Sequence, residues 1–278
     1  MKNRRENTKK RMISRIVILI LMLLVVAFSK QLFSWGDVID TSMANMPPGK
    51  EHIFGTDNIG RDLLCRSFIG LRLSLLIAAV MQVICLLLGV TIGTVTAYFG
   101  GIVDKLFVFL QSVILSFPGN VVTLCVMMIL GNGIFSMMVA LCIFGWLSYA
   151  RLTRSQVMTL RSADFIRGEI AIGTSVGGII FRHIVPSVLK TLIPMFTLMI
   201  GHSVLGIAGL SFLGFGVQPP HAEIGLLIQD GLVYIRSAPW MFIFPGLTLA
   251  AYSLMFNTVG DSMQDYFDPH DSVNAGKM

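Results

Sequence analysis

The sequence predicts an all-α integral membrane protein: six transmembrane helices with a helix-turn-helix segment left in water on the cytosolic side. Three observations predict it. Of 278 residues, 54% are hydrophobic and only 13% charged, with a mean hydropathy of +0.77, whereas soluble domains carry roughly 25% charged residues. Six apolar runs follow one another, at 12–33, 73–98, 106–130, 134–158, 187–213 and 240–260. Each is long enough to close its backbone hydrogen bonds within hydrocarbon, which takes roughly 20 residues. Between the fourth and fifth runs lies "DFIRGEIAIGTSVGGIIFRHIVP", too polar to span a bilayer and too patterned to be a slack tether.

The first run follows seven basic residues, Lys2, Arg4, Arg5, Lys9, Lys10, Arg11 and Arg15, set against Glu6. A signal peptide has an apolar core of roughly 7–15 residues and a small-x-small cleavage site. This run is longer and no A-x-A follows, so a retained span is expected, its basic end in the cytosol. The charges fix the orientation. Lys105, Arg151, Arg154, Arg161, Arg167, Arg182, Lys190 and Lys277 join those seven on the cytosolic side. Lys30, Lys50, Arg61, Arg66, Arg72 and Arg236 remain outside. That asymmetry has the sign of the positive-inside rule and puts both termini in the cytosol. It also accounts for the net charge of +6 without a nucleic-acid partner.

The watery stretch reads as an elbow. Phe165, Ile166, Ile170 and Ile172 share roughly one side of a first helix, punctuated by Arg161, Arg167 and Glu169. Gly173 ends it, because glycine tolerates the left-handed conformation that closes a helix. Thr174 or Ser175 can cap a second short helix, and Pro186 opens the next span, where its missing N–H costs little. The apolar stripe needs a partner, either the protein's own bundle or another protein.

No Asp, Glu, Lys or Arg falls near the middle of a run. Ion-driven carriers hold a costly ionisable group there, so the energy for transport is expected from elsewhere. The chain has no G-x-x-x-x-G-K-[ST] loop to wrap nucleotide phosphates. "GHSVLG" (Gly201 to Gly206) fails the nucleophile-elbow pattern at Leu205 and fits close helix packing better. Cys65, Cys85, Cys125 and Cys142 are scattered and form neither a disulfide framework nor a zinc site. The methionines within runs, Met81, Met127, Met128, Met137, Met138, Met195 and Met199 among them, are expected to be packing. Pro118 is expected to kink the third span.

Other residues keep two readings. His202, well inside the fifth run, either bonds a neighbouring helix or lines a solute path. Asp57, Arg61 and Asp62 either lock the outer loop by ion pairs or touch a partner. Glu223 and Asp230 are either solvated loop acids or a place where a cation or a docking protein is met. Asp261, Asp265 and Asp268 can pair with cytosolic arginines.

The elbow resembles the cytoplasmic coupling loop of ABC-importer permeases, E-A-A-x3-G-x9-I-x-L-P. Gly173 takes the glycine position, Val185 the leucine and Pro186 the proline. Arg167, Gly168 and Glu169 replace E-A-A, and His183 replaces the isoleucine, as in the R-H-I-L-P form of peptide-importer permeases. The likeness covers almost the whole chain. "HIFGTDNIGRD" (His52 to Asp62), "WLSYARLTRSQV", "LSFLGFGVQPP" (Leu210 to Pro220), "APW", "FPG" and "FNTVGDSMQDYFDP" follow in the order seen in peptide and nickel permeases. The I-G-H around His202, then Ala208, Gly209, Ala222, Glu223 and Gly225, are similar to the nickel-type subgroup. The external segment 34–72 is also short beside peptide permeases.

The resemblance implies a type I ABC importer permease fold. It divides the chain into 1–72 (basic N-terminus, first helix, external loop), 73–262 (five-helix permease unit with coupling loop 159–186) and the tail 263–278. It implies an ATPase-coupling role for Asp164, Phe165, Ile166, Arg167, Gly168, Glu169, Gly173, Arg182, His183 and Pro186. Candidate residues of the solute path are His202, Ser203 and Glu223. The implied partners are a homologous permease subunit, one or two cytosolic ATP-binding subunits that use ATP and Mg, and an extracytoplasmic binding protein. The implied place is a bacterial plasma membrane. The implied solute is nickel or a metal chelate, with di- or oligopeptide as the alternative. The chain itself is expected to bind no cofactor and to catalyse no reaction.

Overall fold

Charge and chain length decide the first element. The computed structural model describes residues 2–267 apart from Ser34, Asp37, Pro219 and Pro220, the side chains of residues 2–5 excepted; Asp268 and the tail to 278 lie outside the described residues. Helix α1 (Lys2–Ala27) is basic in its first half, so its apolar part within the helix is only 16–27. The backbone breaks at Phe28, and α2 (Ser29–Leu32) is a single turn. This expected first span is therefore not among the helices long and apolar enough to cross a membrane. Among the described residues four are, and a bent pair makes a fifth if it is one span.

Helix α3 (Leu63–Phe99) begins at Leu63 rather than at 73, because Asp62 caps it: Oδ1 accepts from the Cys65 N–H at 2.9 Å. Its 37 residues reach about 55 Å, well beyond a hydrocarbon core of about 30 Å. The loop before it is held by ion pairs, as one of its two readings has it. Arg61 Nε donates to Asp57 Oδ2 at 2.6 Å, and His52 Nδ1 lies 2.8 Å from Asp62 Oδ2.

The third apolar run is broken rather than kinked. Helices α4 (Gly101–Leu115) and α5 (Gly119–Leu130) meet at 83° across Pro118, which holds extended backbone at φ −62°, ψ 114°. Helix α6 (Ile134–Arg161) leads into α7 (Asp164–Ala171). The second helix of the elbow, α8 (Val176–Ile179), is not separate. It runs through a π turn (Ile180–Ile184) into α9 (Val185–Phe212). The Val185 N–H reaches back to the Ile180 carbonyl. That wider turn makes room just before Pro186, which has no N–H to give. The short α10 (Ile224–Val233) and the long α11 (Trp240–Phe267) complete the chain.

Close backbone approach sets the helix pairs. A Cβ at Gly93 in α3 would lie 2.6 Å from the Ala150 carbonyl of α6. One at Gly201 in α9 would lie 2.9 Å from Phe256 Cβ in α11. Glycine is the residue that allows such contact in membrane bundles. Helix α1 runs antiparallel along α11. Arg15 donates to the Thr258 carbonyl at 3.3 Å and to the Ser262 hydroxyl, and further along Tyr252 donates to the Met22 carbonyl at 3.0 Å. The start of α1 and the end of α11 thus share one end of the bundle. The end of α6 and the elbow lie at that same end, since Gly260 of α11 packs on Leu198 while Gly201 packs on Phe256.

Apolar clusters make up most of the core, with buried polar groups such as Gln82, Ser203 and Glu223 set among them. Leu19, Leu71, Met127, Met137, Ile207 and Tyr252 form one cluster; Met81, Tyr149, Val157, Ile166, Ile184 and Leu192 form a second, toward the elbow; Leu63, Ala238 and Met241 form a small third. Met128 faces outward instead. The cysteines are not all scattered in space: Cys85 and Cys142 stand Sγ to Sγ at 3.5 Å, both thiols free. Asp261 and Asp265 form no ion pair with an arginine among the described residues.

Candidate functional site

The elbow is built from local chemistry. Gly173 has φ +83°, in the left-handed region that a helix terminator needs. The Thr174 N–H donates to the Glu169 carbonyl and the Gly173 N–H to the Ile170 carbonyl, each at 3.0 Å. These two bonds are the paired closure of a Schellman motif. Ser175, not Thr174, caps α8: its hydroxyl accepts from the Gly178 N–H at 3.2 Å. Thr174 has another role, since its hydroxyl donates to Glu169 Oε2 at 2.6 Å. His183 Nε2 lies 3.4 Å from Glu169 Oε1. Glu169, one of the residues that replace E-A-A, therefore braces the corner from both sides.

The apolar stripe divides. Ile166 is fully buried against Ile179 and Ile184 and fastens the elbow to its own bundle. It is not available to a partner, which corrects the expectation of one continuous docking face. Phe165 and Ile170 are about half exposed, and Ile172 and Phe181, at 79% and 76%, stand out fully. Sequence reading did not single out Phe181; an apolar residue beside Arg182 in a polar segment was the available signal. Asp164, Arg167, Gly168, Arg182 and Pro186 are at least partly exposed too, with Arg167 Nη1 3.7 Å from Asp164 Oδ1. Residues of the elbow thus present an apolar surface framed by charge.

At the opposite end, Glu223 is not a solvated loop acid. It is fully buried. Oε2 accepts from the Gly225 and Leu226 N–H groups at 2.9 and 3.1 Å, which starts α10, and Oε1 accepts from the Ser74 hydroxyl at 2.6 Å. Burial pushes its carboxyl above the usual range, against these hydrogen bonds. Both oxygens are occupied, so Glu223 is removed from the candidate solute path. Asp230 lines an outer cavity of about 300 Å³ with Asn58, Arg61, Arg66, His221 and Tyr234. Burial pushes its carboxyl up, and the charges of Arg66 and Arg61 oppose that.

The remaining path candidates also separate. Ser203 is buried and accepts from Gln82 Nε2 at 2.5 Å, while Gln82 Oε1 accepts from the Tyr149 hydroxyl at 2.8 Å. This chain of bonds ties α3, α6 and α9 together inside the bundle. Gln82 and Tyr149 were missed in the sequence, although a lone amide in an apolar run is a visible signal. His202 points the other way. It is exposed on α9 beside Leu205 and Gly209, with no bond to a neighbouring helix among the described residues. Within the described residues no three His, Cys, Asp or Glu side chains are grouped to hold a metal.

A bundle of apolar helices with a braced elbow at one end is the form of a transport permease. Residues 89–271 match the family described as binding-protein-dependent transport system inner membrane component. The chain belongs to that family. It is 32% identical over 255 residues to an oligopeptide transport system permease protein of Bacillus subtilis (strain 168), covering 91% of this chain and 84% of the relative. It is 35% identical over 255 residues to a dipeptide transport system permease protein of Alkalihalophilus pseudofirmus, at the same coverage. It is 33% identical over 256 residues to a nickel transport system permease protein of Escherichia coli (strain K12), covering 91% of this chain and 92% of the relative. The protein is a multi-pass ABC transporter permease of the peptide/nickel class, with the type I permease fold.

Proposed function

We propose that this chain is one of two permease subunits of an ATP-driven importer in a bacterial plasma membrane, and that its solute is nickel or a metal chelate. The observation that carries the coupling role is the elbow: an apolar surface of Phe165, Ile170, Ile172 and Phe181, half or more exposed on a corner braced by Glu169. Such a surface, held rigid, suits a separate ATPase that passes its closure on as a rigid-body motion. ATP and Mg are then used by that subunit, and solute arrives from an extracytoplasmic binding protein. The distribution of basic residues supports a cytosolic elbow and cytosolic termini, with α1 and α2 together as a sixth crossing beside α11.

Two observations support the metal reading. The chain spans 92% of the nickel relative but 84% of the oligopeptide relative, so it is nearer the nickel relative in length. His202 sits exposed in the I-G-H of α9, on a face the chain itself leaves uncovered. Identity to the oligopeptide and dipeptide relatives supports the second reading, di- or oligopeptide uptake. Deleting the gene and following radioactive nickel, with and without a chelator, against labelled dipeptide separates the two. Loss of metal uptake alone upholds the proposal; loss of dipeptide uptake alone replaces the solute.

A further inference from the structure

Beside the elbow lies a second cavity, of about 330 Å³, whose lining includes Gly100, Asp104, Met158, Arg161, Ser162 and Arg167. Its one carboxylate is already neutralised. Asp104 takes both prongs of Arg154, Nε to Oδ1 at 2.5 Å and Nη2 to Oδ2 at 2.7 Å. Arg161 has no carboxylate partner among the described residues. Its guanidinium lies over the Tyr98 ring, 5.9 Å from the centroid, which leaves its N–H edge for an acceptor. Arg167 has only the loose, exposed contact with Asp164. The cavity thus holds two positive charges beyond those its own carboxylate balances. It also takes in the start of α4, where Gly100 offers no side-chain cap and the helix dipole adds to the same sign.

What surrounds the cavity tells which anion fits. Phe99 and Ile102 flank Gly100 and are exposed at 59% and 84%, and Met158 is half exposed on the cavity wall. Uncovered apolar side chains beside a cationic hollow, at the end of apolar helices, mark the boundary between hydrocarbon and headgroups. A guanidinium pair is the usual partner of a phosphate diester, and basic pockets between membrane helices take anionic headgroups. The geometry points to a site for one anionic phospholipid, its phosphate between Arg161 and Arg167 and its chains over Phe99 and Ile102. Because Arg161 ends α6 and Arg167 belongs to α7, the bound lipid ties the elbow to the bilayer. This inference rests on the membrane placement, not on the solute or the ATPase.

The test is native mass spectrometry of the whole importer complex in detergent, titrated with dioleoylphosphatidylglycerol, dioleoylphosphatidylcholine or inorganic phosphate. The expected result is one tightly held phosphatidylglycerol per copy of this chain, in clear preference to phosphatidylcholine. Arg161→Ala should weaken it about fivefold, the typical effect of one basic residue at an anionic surface, and Arg161→Lys, which keeps the charge but not the guanidinium fork, should recover only part of it. Ser162→Glu, on an exposed position, should weaken it as well, which keeps the test decisive if Arg161→Ala does not assemble. Equal binding of the two lipids overturns the site. So does unchanged phosphatidylglycerol binding in Ser162→Glu or in an assembled Arg161→Ala. Displacement by millimolar inorganic phosphate would show a free-anion site and overturn the lipid assignment.

Discussion

The Ser74 hydroxyl donates to Glu223 Oε1 at 2.6 Å, joining α3 to the start of α10 in a fully buried contact. The partners are far apart in sequence, and the bond forms only because Gly70, one turn before Ser74, lets the Glu223 backbone pass close by. A Cβ there would lie 3.0 Å from the Glu223 carbonyl carbon. Glu223→Ala leaves two buried amides without their acceptor, at about 1–3 kcal/mol for buried groups, while the Ser74 hydroxyl can turn to the Gly70 carbonyl 3.1 Å away. A lower melting temperature of the purified complex is expected. Glu223→Gln keeps an acceptor oxygen for the amides and should lose less.

The same residue sets a pH dependence. Burial raises its carboxyl in the folded state, so the folded protein holds the proton more readily than the unfolded chain does. The stability tied to this proton is full below the ordinary carboxylate range and is lost as pH rises through the raised value. Melting curves across that range should fall with rising pH in the wild type. The slope should be shallower in Glu223→Gln, and an unchanged slope would remove Glu223 as its source.

What was legible in the sequence is what depends on neighbours along the chain. The left-handed glycine at 173, a cap at 174 or 175 and a disturbance at Pro118 follow from local stereochemistry; that Ser175 is the cap and that the helix breaks outright at Pro118 came only with the structure. What was not legible depends on the bundle. Ile166 and Ile170 look alike in sequence, yet only Ile166 faces Ile179 and Ile184. Glu223 reads as a loop acid until α3 covers it. Gln82, Tyr149 and Ser203 meet from three helices. The separate second helix of the elbow was lost to a π turn, which no apolar pattern announces.

The divided stripe predicts two kinds of variant. Ile166→Ala removes a fully buried side chain and should cost about 2–5 kcal/mol, seen as lower abundance and melting temperature. Phe165→Ala and Ile172→Ala trim exposed surface and should leave melting within about 0.5 kcal/mol. They should instead weaken co-purification of the ATPase. Equal effects of Ile166 and Ile172 on melting would contradict the division.

His202 is exposed on α9, so His202→Ala should leave protein abundance unchanged. If the residue faces the solute path at the junction with the second permease, uptake should fall at that normal abundance. Reduced abundance with unchanged uptake per molecule would assign it to packing between subunits.

The elbow gives the sharpest test. Gly173 has φ +83°, and no heavy atom lies within 4 Å of where a Cβ would stand. A substitution there meets strain but no clash within the chain. That strain is roughly 1–2 kcal/mol for a residue with a Cβ, and the corner lies outside the spanning helices. Gly173→Asp should therefore still fold and insert, and a normal melting profile of the bundle is expected. Asn and Asp both visit the left-handed region more readily than other residues, so Gly173→Asn, which adds no charge to the corner, should be the milder change. If the elbow passes ATPase closure to the bundle, Gly173→Asp should lose uptake, through either lost ATPase co-purification or hydrolysis no longer coupled to transport. Gly173→Asn should fall between it and the wild type. Normal uptake by Gly173→Asp would take the coupling role away from this corner, whatever solute the bundle carries.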